Sequence, residues 1–400
     1  MKLHILILAT GNQSHLIKAI EDVGYTYEQH DPRNLYLYVS ESENGYDRIY
    51  NGLPSLEKPV RLKANSYDAV ISRIGSGLEY GANILTHLHE NLNIYTTQTG
   101  SGLLTASNKL RTTMKLSAYG IRVPRTVGAF SPLHPEFLID KVGGLPAVAK
   151  TLTGSQGKGV IILKDAEQTN TTLEAFWRAD TPLKVQQYIE GGKRDIRAIV
   201  IGDEVVSAME RTGVKDFRAN LSQGGSGRKI ELTDEQKTLC VRASKAIGLD
   251  FSGVDIMIDE KGRAYVIEIN GNPGTGIIGI TKRNHFKDLI IHINRKCLAS
   301  KESTQKSEAT ASASTPVSIP LPPAKKEKYE RFIDLENEVT DELTDEQEEA
   351  FVRLSNVSVS YSDYFKKDAK LKASFSLFTM ISGLKNAYPK LFNALQKRLN

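Results

Sequence analysis

Three polar residues stand in runs otherwise suited to the interior of a β-sheet. Glu268 and Asn270 lie two apart in Tyr265-Val266-Ile267-Glu268-Ile269-Asn270, and Asp255 interrupts the apolar run Gly253-Val254-Asp255-Ile256-Met257. Strand side chains alternate, so Glu268 and Asn270 share one face while Ile267 and Ile269 take the other. A carboxylate held in a core-like strand needs a partner. Two readings supply one. Each acid pairs with a buried Arg or Lys, or the three oxygen donors bind Mg²⁺ brought in by a nucleotide.

With 400 residues the chain has room for two or three domains and a large core. A net charge of +5 is small for that length and argues neither for nor against an anionic partner. The two cysteines, Cys240 and Cys297, lie in or near helix-like segments. A disulfide framework is therefore not expected, and a reducing, cytoplasmic setting fits. The apolar run Ile5–Ala9 is shorter than a signal sequence needs and meets Gly11-Asn12-Gln13 at once, so it reads as a first strand. No stretch approaches the length that spans a membrane.

Residues 1–103 alternate strand and helix signals: a strand at Ile5–Ala9, a helix at Ser14–Val23, a strand at Asp68–Ser72 and a helix at Leu78–Leu88. That order implies an α/β domain with a small open parallel sheet. Gly75-Ser76-Gly77, before the second helix, is either a tight turn or a set of amides able to take an anion or carboxylate. His87 and His89 read as surface residues, because no acidic or cysteine partner is near. Residues 104–185 open with a helix at Ser107–Tyr119 and hold strands at Ala147–Lys150 and Val160–Leu163. Residues 186–298 hold strands at Asp195–Ile201 and Val205–Glu210, a helix at Asp234–Ile247, and the acidic strands. Residues 299–327, rich in Ser, Thr, Ala and Pro, read as a disordered linker. Residues 328–400 read as helical, acidic first and basic after; charged faces that meet each other or water explain them better than a nucleic-acid patch.

Between two apolar runs lies Thr153-Gly154-Ser155-Gln156-Gly157-Lys158-Gly159. A P-loop would continue with Ser or Thr and a helix; here Gly159 and a β-rich run follow, so the segment is a hairpin tip. It is either a simple turn or a flap whose amides cover phosphate. Lys150, at the end of the preceding strand, is either solvated or reaches a phosphate as a point charge. Val185-Gln186-Gln187-Tyr188-Ile189 looks like a strand edge whose main chain suits an adenine. Alternation puts Asp195 and Arg197 on one face. Arg218, Asn220 and Gly224, Gly225 and Gly227 form a polar stretch.

In this order the motifs resemble those of the ATP-grasp carboxylate–amine ligases, specifically the RimK-like glutamate ligases. The resemblance runs from Met1 to about Ile293 and includes Ser72-Arg73-Ile74-Gly75 and Asn108-Lys109-Leu110-Arg111. It implies an ATP-grasp fold behind an N-terminal open parallel α/β domain, with the linker and a small helical C-terminal segment outside it. It implies ATP and Mg²⁺, as two ions for which Mn²⁺ substitutes. Lys109 and Lys150 would hold ATP phosphates under the flap of Gly154, Ser155, Gln156, Gly157 and Gly159. Gln187 and Tyr188 would form the adenine hinge, and Asp195 would contact the nucleoside. Arg218 and Asn220 would face the transferred phosphoryl group and the substrate, and Arg197 would neutralise an acyl phosphate or bind a carboxylate. Asp255, Glu268 and Asn270 would be the metal ligands.

Two departures from the family pattern bear on substrate. Gln187 stands where the family usually has Glu, and Gly271-Asn272-Pro273-Gly274-Thr275-Gly276-Ile277 replaces a segment that usually carries Glu. The expected function is ATP-dependent amide-bond formation through an acyl phosphate, adding glutamate to the C-terminus of a protein acceptor of ribosomal type. Alternatives are a ligase for a small-molecule carboxylate and another amino acid, or a degenerate ATP-grasp binding protein. The C-terminal helices would recruit a partner or the acceptor, a homo-oligomer is suggested by analogy, and neither nucleic acid nor membrane is expected as a direct partner.

Overall fold

The computed structural model describes residues 2–38, 49–53, 55, 57–154, 159–190, 194–213 and 226–311. The first part of the chain runs β1 (His4–Ala9), α1 (Ser14–Glu21), β2 (Thr26–His30), β3 (Leu35–Leu37), β4 (Ile49–Asn51), β5 (Val60–Leu62), β6 (Ala69–Arg73), α2 (Leu78–Thr86) and β7 (Tyr95–Thr96). The order β2-β1-β6-β7 makes a parallel sheet, as the alternating pattern implied, with a small antiparallel sheet β3-β4-β5 beside it. Strand β1 is apolar on both faces and completely covered, which is how a central parallel strand reads.

Helices α3 (Gly100–Ser107) and α4 (Lys109–Ala118) follow. The expected single helix at Ser107–Tyr119 is interrupted at Asn108. Its Oδ1 accepts from the amides of Leu110 and Arg111, both at 3.0 Å, so the asparagine caps a new helix instead of continuing an old one. Next come β8 (Thr126–Ala129), α5 (Pro135–Val142), β9 (Ala147–Thr151), β10 (Val160–Leu163), α6 (Ala166–Arg178) and β11 (Leu183–Gln187). They form an antiparallel sheet, β10-β9-β11-β8, with its own core of Leu138, Val142, Ala149, Leu163, Leu173 and Val185.

The last part runs β12 (Arg194–Ile201), β13 (Glu204–Thr212), β14 (Ser226–Lys229), α7 (Asp234–Ile247), β15 (Phe251–Ile258), β16 (Ala264–Asn270), α8 (Gly276–Thr281) and α9 (Phe286–Ala311). Its antiparallel sheet has the order β14-β13-β12-β15-β16. One face, including Ile196, Ala198, Val200, Val254, Ile256 and Ile269, is buried with Cys240, Ala243 and Ile247 of α7. The other changes character along its length. Ile199, Ile201, Met209 and Phe251 pack into a core shared with β1, α8 and α9, whereas Asp195, Arg197 and Asp255 continue the same face beyond it.

Three expectations are corrected. Helix α9 runs to Ala311, through the first residues of the expected linker; Ser, Lys, Glu, Gln and Ala fill that stretch, and no glycine or proline occurs before Pro316. His87 is buried, not on the surface, and its Nδ1 lies 3.0 Å from Asn91 Nδ2 in a π-helical turn, His87–Asn91, that extends α2. Strand β13 extends past Glu210 to Thr212. Both cysteines are buried, and neither is in a disulfide. Among the described residues no helix is long and apolar enough to cross a membrane. The rest of the expected linker and the segment 328–400 lie outside the described residues.

Ile256 is completely buried on the helix-covered side of β15, directly after Asp255. Ile256→Ala is expected to lower stability by about 2–5 kcal/mol through the cavity it leaves. A drop in urea midpoint at unchanged slope checks this.

Candidate active site

Strand register assembles the site in rows. Arg197 on β12 pairs with Asp255 on β15, and Asp255 pairs with Glu268 on β16. One row over, Gly253 pairs with Asn270; on the other side, Asp195 pairs with Arg211 of β13. The register skips Ile267 before resuming at Val266, a bulge beside the acidic pair. Asp255, Glu268 and Asn270 are therefore brought together with Arg197 and Asp195.

The acids are not equivalent. Asp255 is 5 % exposed, and Arg197 grips it with two bonds, Nε to Oδ1 at 2.7 Å and Nη2 to Oδ2 at 2.6 Å. Arg211 donates a third, Nη2 to Oδ2 at 2.9 Å, and binds Asp195 through Nε at 2.6 Å and Nη2 at 2.7 Å. Burial alone would raise the Asp255 pKa; Arg197 and Arg211 outweigh it and hold the group below the usual carboxylate range. For Asp195 burial prevails, the neighbouring Asp255 adds to it, and the group is raised despite Arg211. Burial also works against the Arg211 cation, but the two carboxylates keep its pKa above the ordinary value.

Glu268 and Asn270 make no side-chain hydrogen bond among the described residues, and Asn270 Nδ2 is buried without a partner. Asp255 uses three acceptor positions of about four that a carboxylate offers. One position on Asp255, the Glu268 carboxylate and the Asn270 amide thus form an uncommitted, all-oxygen donor set, which fits Mg²⁺ or Mn²⁺. No group of three or more His, Cys, Asp and Glu gathers for a metal among the described residues, so the carboxamide is integral to such a site.

Lysines line the other sheet. Strands β9 and β10 form the expected hairpin, with Lys150 opposite Val160. At its base Gly159 has φ +74°, and a Cβ there would come within 2.5 Å of Thr151 Oγ1. Lys150 Nζ donates to Gln186 Oε1 at 2.8 Å. Burial pushes its pKa down to about 8, with Glu268 opposing and Lys109 reinforcing the shift. Capping at Asn108 makes Lys109 the first residue of α4; its amide donates to Leu152 O at 2.8 Å and its Nζ to Gly154 O at 2.6 Å. Lys184, cross-strand from Lys150, is completely buried and donates to Thr113 Oγ1 at 2.9 Å. Lys109 and Lys150 beside a glycine hairpin suit a polyanion.

At the end of β11, the amide of Gln187 donates to Arg125 O at 2.8 Å, its Oε1 accepts from the Arg125 amide at 3.3 Å, and Tyr188 is half-buried. Ser155, Gln156, Gly157, Arg218 and Asn220 lie outside the described residues. Sequence reasoning missed Arg211, Gln186 and Lys184. Counting outward from the turn at Gly202-Asp203 would put Glu210 opposite Asp195; a bulge between Ile199 and Val200 shifts the register by one and brings Arg211 there instead.

A model of the RimK-like ATP-grasp domain matches residues 106–293. A probable alpha-L-glutamate ligase 2 of Shewanella sp. strain MR-4 is 35 % identical over 310 residues, 76 % of this chain and 100 % of that protein. A probable alpha-L-glutamate ligase of Maridesulfovibrio salexigens is 35 % identical over 293 residues, 72 % of this chain and 93 % of its own. Among solved structures, the ATP-grasp ligase PsnB, complexed with a variant of its minimal precursor, Mg and ADP, superposes with a TM-score of 0.56 at 18 % identity, over 73 % of this chain and 98 % of that one. A D-alanine–D-alanine ligase from Bacillus anthracis complexed with ATP gives 0.51 at 17 % identity, over 76 % of this chain and 99 % of that one. Fold and relatives together define an ATP-grasp ligase, an enzyme that forms carbon–nitrogen bonds. The chain belongs to the RimK-like ATP-grasp family.

Arg211→Met removes the cation between two buried carboxylates and is expected to cost about 3–5 kcal/mol at neutral pH. Without that cation the carboxylates gain protons more readily folded than unfolded, so the deficit shrinks as pH falls toward 4. Chemical denaturation of both proteins at pH 7 and pH 5 checks the size and the sign.

Proposed function

We propose that this ligase uses ATP and Mg²⁺ to add glutamate, once or repeatedly, to the C-terminal carboxylate of a protein or peptide. The observation that carries the proposal is the face on which Arg197 and Arg211 keep Asp255 ionised while Glu268 and Asn270 make no side-chain hydrogen bond among the described residues. Identity to the glutamate ligases supports the amino acid.

A carboxylate is a poor electrophile; phosphorylation by ATP makes it an acyl phosphate, and attack by an amine expels phosphate and leaves the amide. Lys109 and Lys150 hold the phosphates, and Gly154, Ser155, Gln156, Gly157 and Gly159 close over them to exclude water. Gln187 and Tyr188 hold the adenine and Asp195 the nucleoside side. Asp255, Glu268 and Asn270 hold the metal, which when bound neutralises phosphate charge. Arg197, Arg218 and Asn220 stabilise the phosphoryl group in transit. Residues 328–400 recruit the acceptor, and the reaction takes place in the cytoplasm.

The substituted segment 271–277 favours a second reading, a small-molecule carboxylate as acceptor. Intact-mass spectrometry of small proteins from cells expressing wild type or Asp255→Asn separates the two. A ladder of glutamate increments on one protein, present only with wild type, supports the first. No ladder, with phosphate release by purified enzyme given small carboxylates and amines, supports the second.

Nucleotide affinity has a predicted pH signature. The Lys150 ammonium is present below about 8 and lost above it. ADP affinity is expected to be level up to pH 8 and then to weaken by as much as about tenfold per pH unit. In Lys150→Met it should be weak and flat. Titration calorimetry between pH 7 and pH 9 checks this.

A further inference from the structure

Arg73 ends β6, and it is 6 % exposed. Its Nε donates to Gln13 Oε1 and its Nη1 to Pro273 O, each at 2.9 Å. The guanidinium also lies 5.9 Å from the ring centre of Phe251 and 5.3 Å from that of Phe286. Every one of these partners is uncharged. Among the described residues no carboxylate contacts it, whereas the other two buried arginines of the site, Arg197 and Arg211, are each doubly bonded to one. Burial drives the pKa of the Lys184 amine well down, whereas a guanidinium keeps its charge. Burial pushes Arg73 down to about 10, which still leaves it charged at neutral pH. His285, in ring contact with Phe251 and Phe286, adds no second charge beside it, because burial and then Arg73 itself push its pKa down to about 4.

The cation is tied to the reacting face. Its acceptor Pro273 belongs to the segment that departs from the family pattern, and a Cβ on Gly253 would lie 3.0 Å from Pro273 Cβ, 3.7 Å from Asn270 Cβ and 3.9 Å from Arg197 Cδ. Asn272 Nδ2 donates to Ile74 O at 3.3 Å, and its Oδ1 is buried without a partner. The Gly75-Ser76-Gly77 turn, which opens α2, follows directly. Arg73 Nη2 donates to no protein group among the described residues, and the residue keeps 6 % of its surface exposed.

We propose that Arg73 reads a substrate carboxylate: Nη2 binds a carboxylate of the incoming amine-bearing amino acid, beside the 272–274 loop. An unpaired buried cation is costly unless a partner joins it, and an amino-acid carboxylate matches it in charge and in hydrogen-bonding geometry. The inference rests on the ligase reading above.

Steady-state kinetics of wild type, Arg73→Gln and Arg73→Lys, with glutamate and with its two monoamides, test the assignment. Arg73→Gln is expected to raise KM for glutamate about 10- to 100-fold, the range for a charged hydrogen bond. KM for ATP should hold, and so should the thermal midpoint. One monoamide, whose missing charge is the one Arg73 reads, should bind wild type poorly and be nearly unaffected by the substitution. Arg73→Lys keeps the charge and should fall between. An unchanged KM for glutamate, or an equal loss for glutamate and both amides, overturns the assignment and makes Arg73 structural. Wild type that ligates other amino acids but not glutamate refutes the glutamate reading instead; the same comparison, made with the accepted amino acid and its amide, then decides the role of Arg73.

Discussion

Arg211 placed between two buried carboxylates is the constraint around which the catalytic face is organised. Its guanidinium holds Asp195 with two bonds and Asp255 with one, on a surface where an isolated charge would be strongly penalised. Arg197 closes the other side of Asp255. The result is a chain of alternating charges in which Asp255 is held below the usual carboxylate range, while burial and Asp255 itself raise Asp195. Such networks are seldom a source of net stability, since desolvation offsets most of the attraction. What this one secures is position and ionisation: Asp255 stays charged and oriented, and Glu268 is left across the strand with its oxygens unused.

The sheet can carry this network because its other requirements are met elsewhere. One face is filled by α7 and the apolar side chains beneath it. The reacting face is itself apolar at one end, where Ile199, Ile201, Met209 and Phe251 pack with α8, α9 and the N-terminal sheet. Charge begins where that cover stops. A single strand such as β12 thus anchors the fold with one end and presents Asp195 and Arg197 with the other.

Much of this was legible from the chain. Val160–Leu163 and Asp234–Ile247 emerged with the boundaries that periodicity suggested, and the shared face of Glu268 and Asn270 followed from alternation; the pairing of β15 with β16 adds Asp255 to it. Of the two readings of the acidic strands, the arginine pairing is seen at Asp255, and Glu268 and Asn270 make no side-chain hydrogen bond among the described residues. The losses have local causes. A strand ended two residues early left out Arg211, and the bulge between Ile199 and Val200 that sets it opposite Asp195 has no signature in the alternation. Asn108 hides a helix break because its side-chain oxygen competes with the backbone, which hydrophobic spacing does not register. His87 was misjudged because a π-helical turn changes the rotation that a regular helix would give it.

The segment after β16 is bonded to the N-terminal domain in three places: Gln98 Nε2 to Gly271 O, Asn272 Nδ2 to Ile74 O and Arg73 Nη1 to Pro273 O. Those bonds, with the core that β1 shares with β12 and β15, weld the first and last parts of the chain into one jaw. The hairpin sheet between them has a separate core. Whatever binds beside the 271–273 segment is therefore held in register with the acidic row by bonds in which the hairpin sheet takes no part.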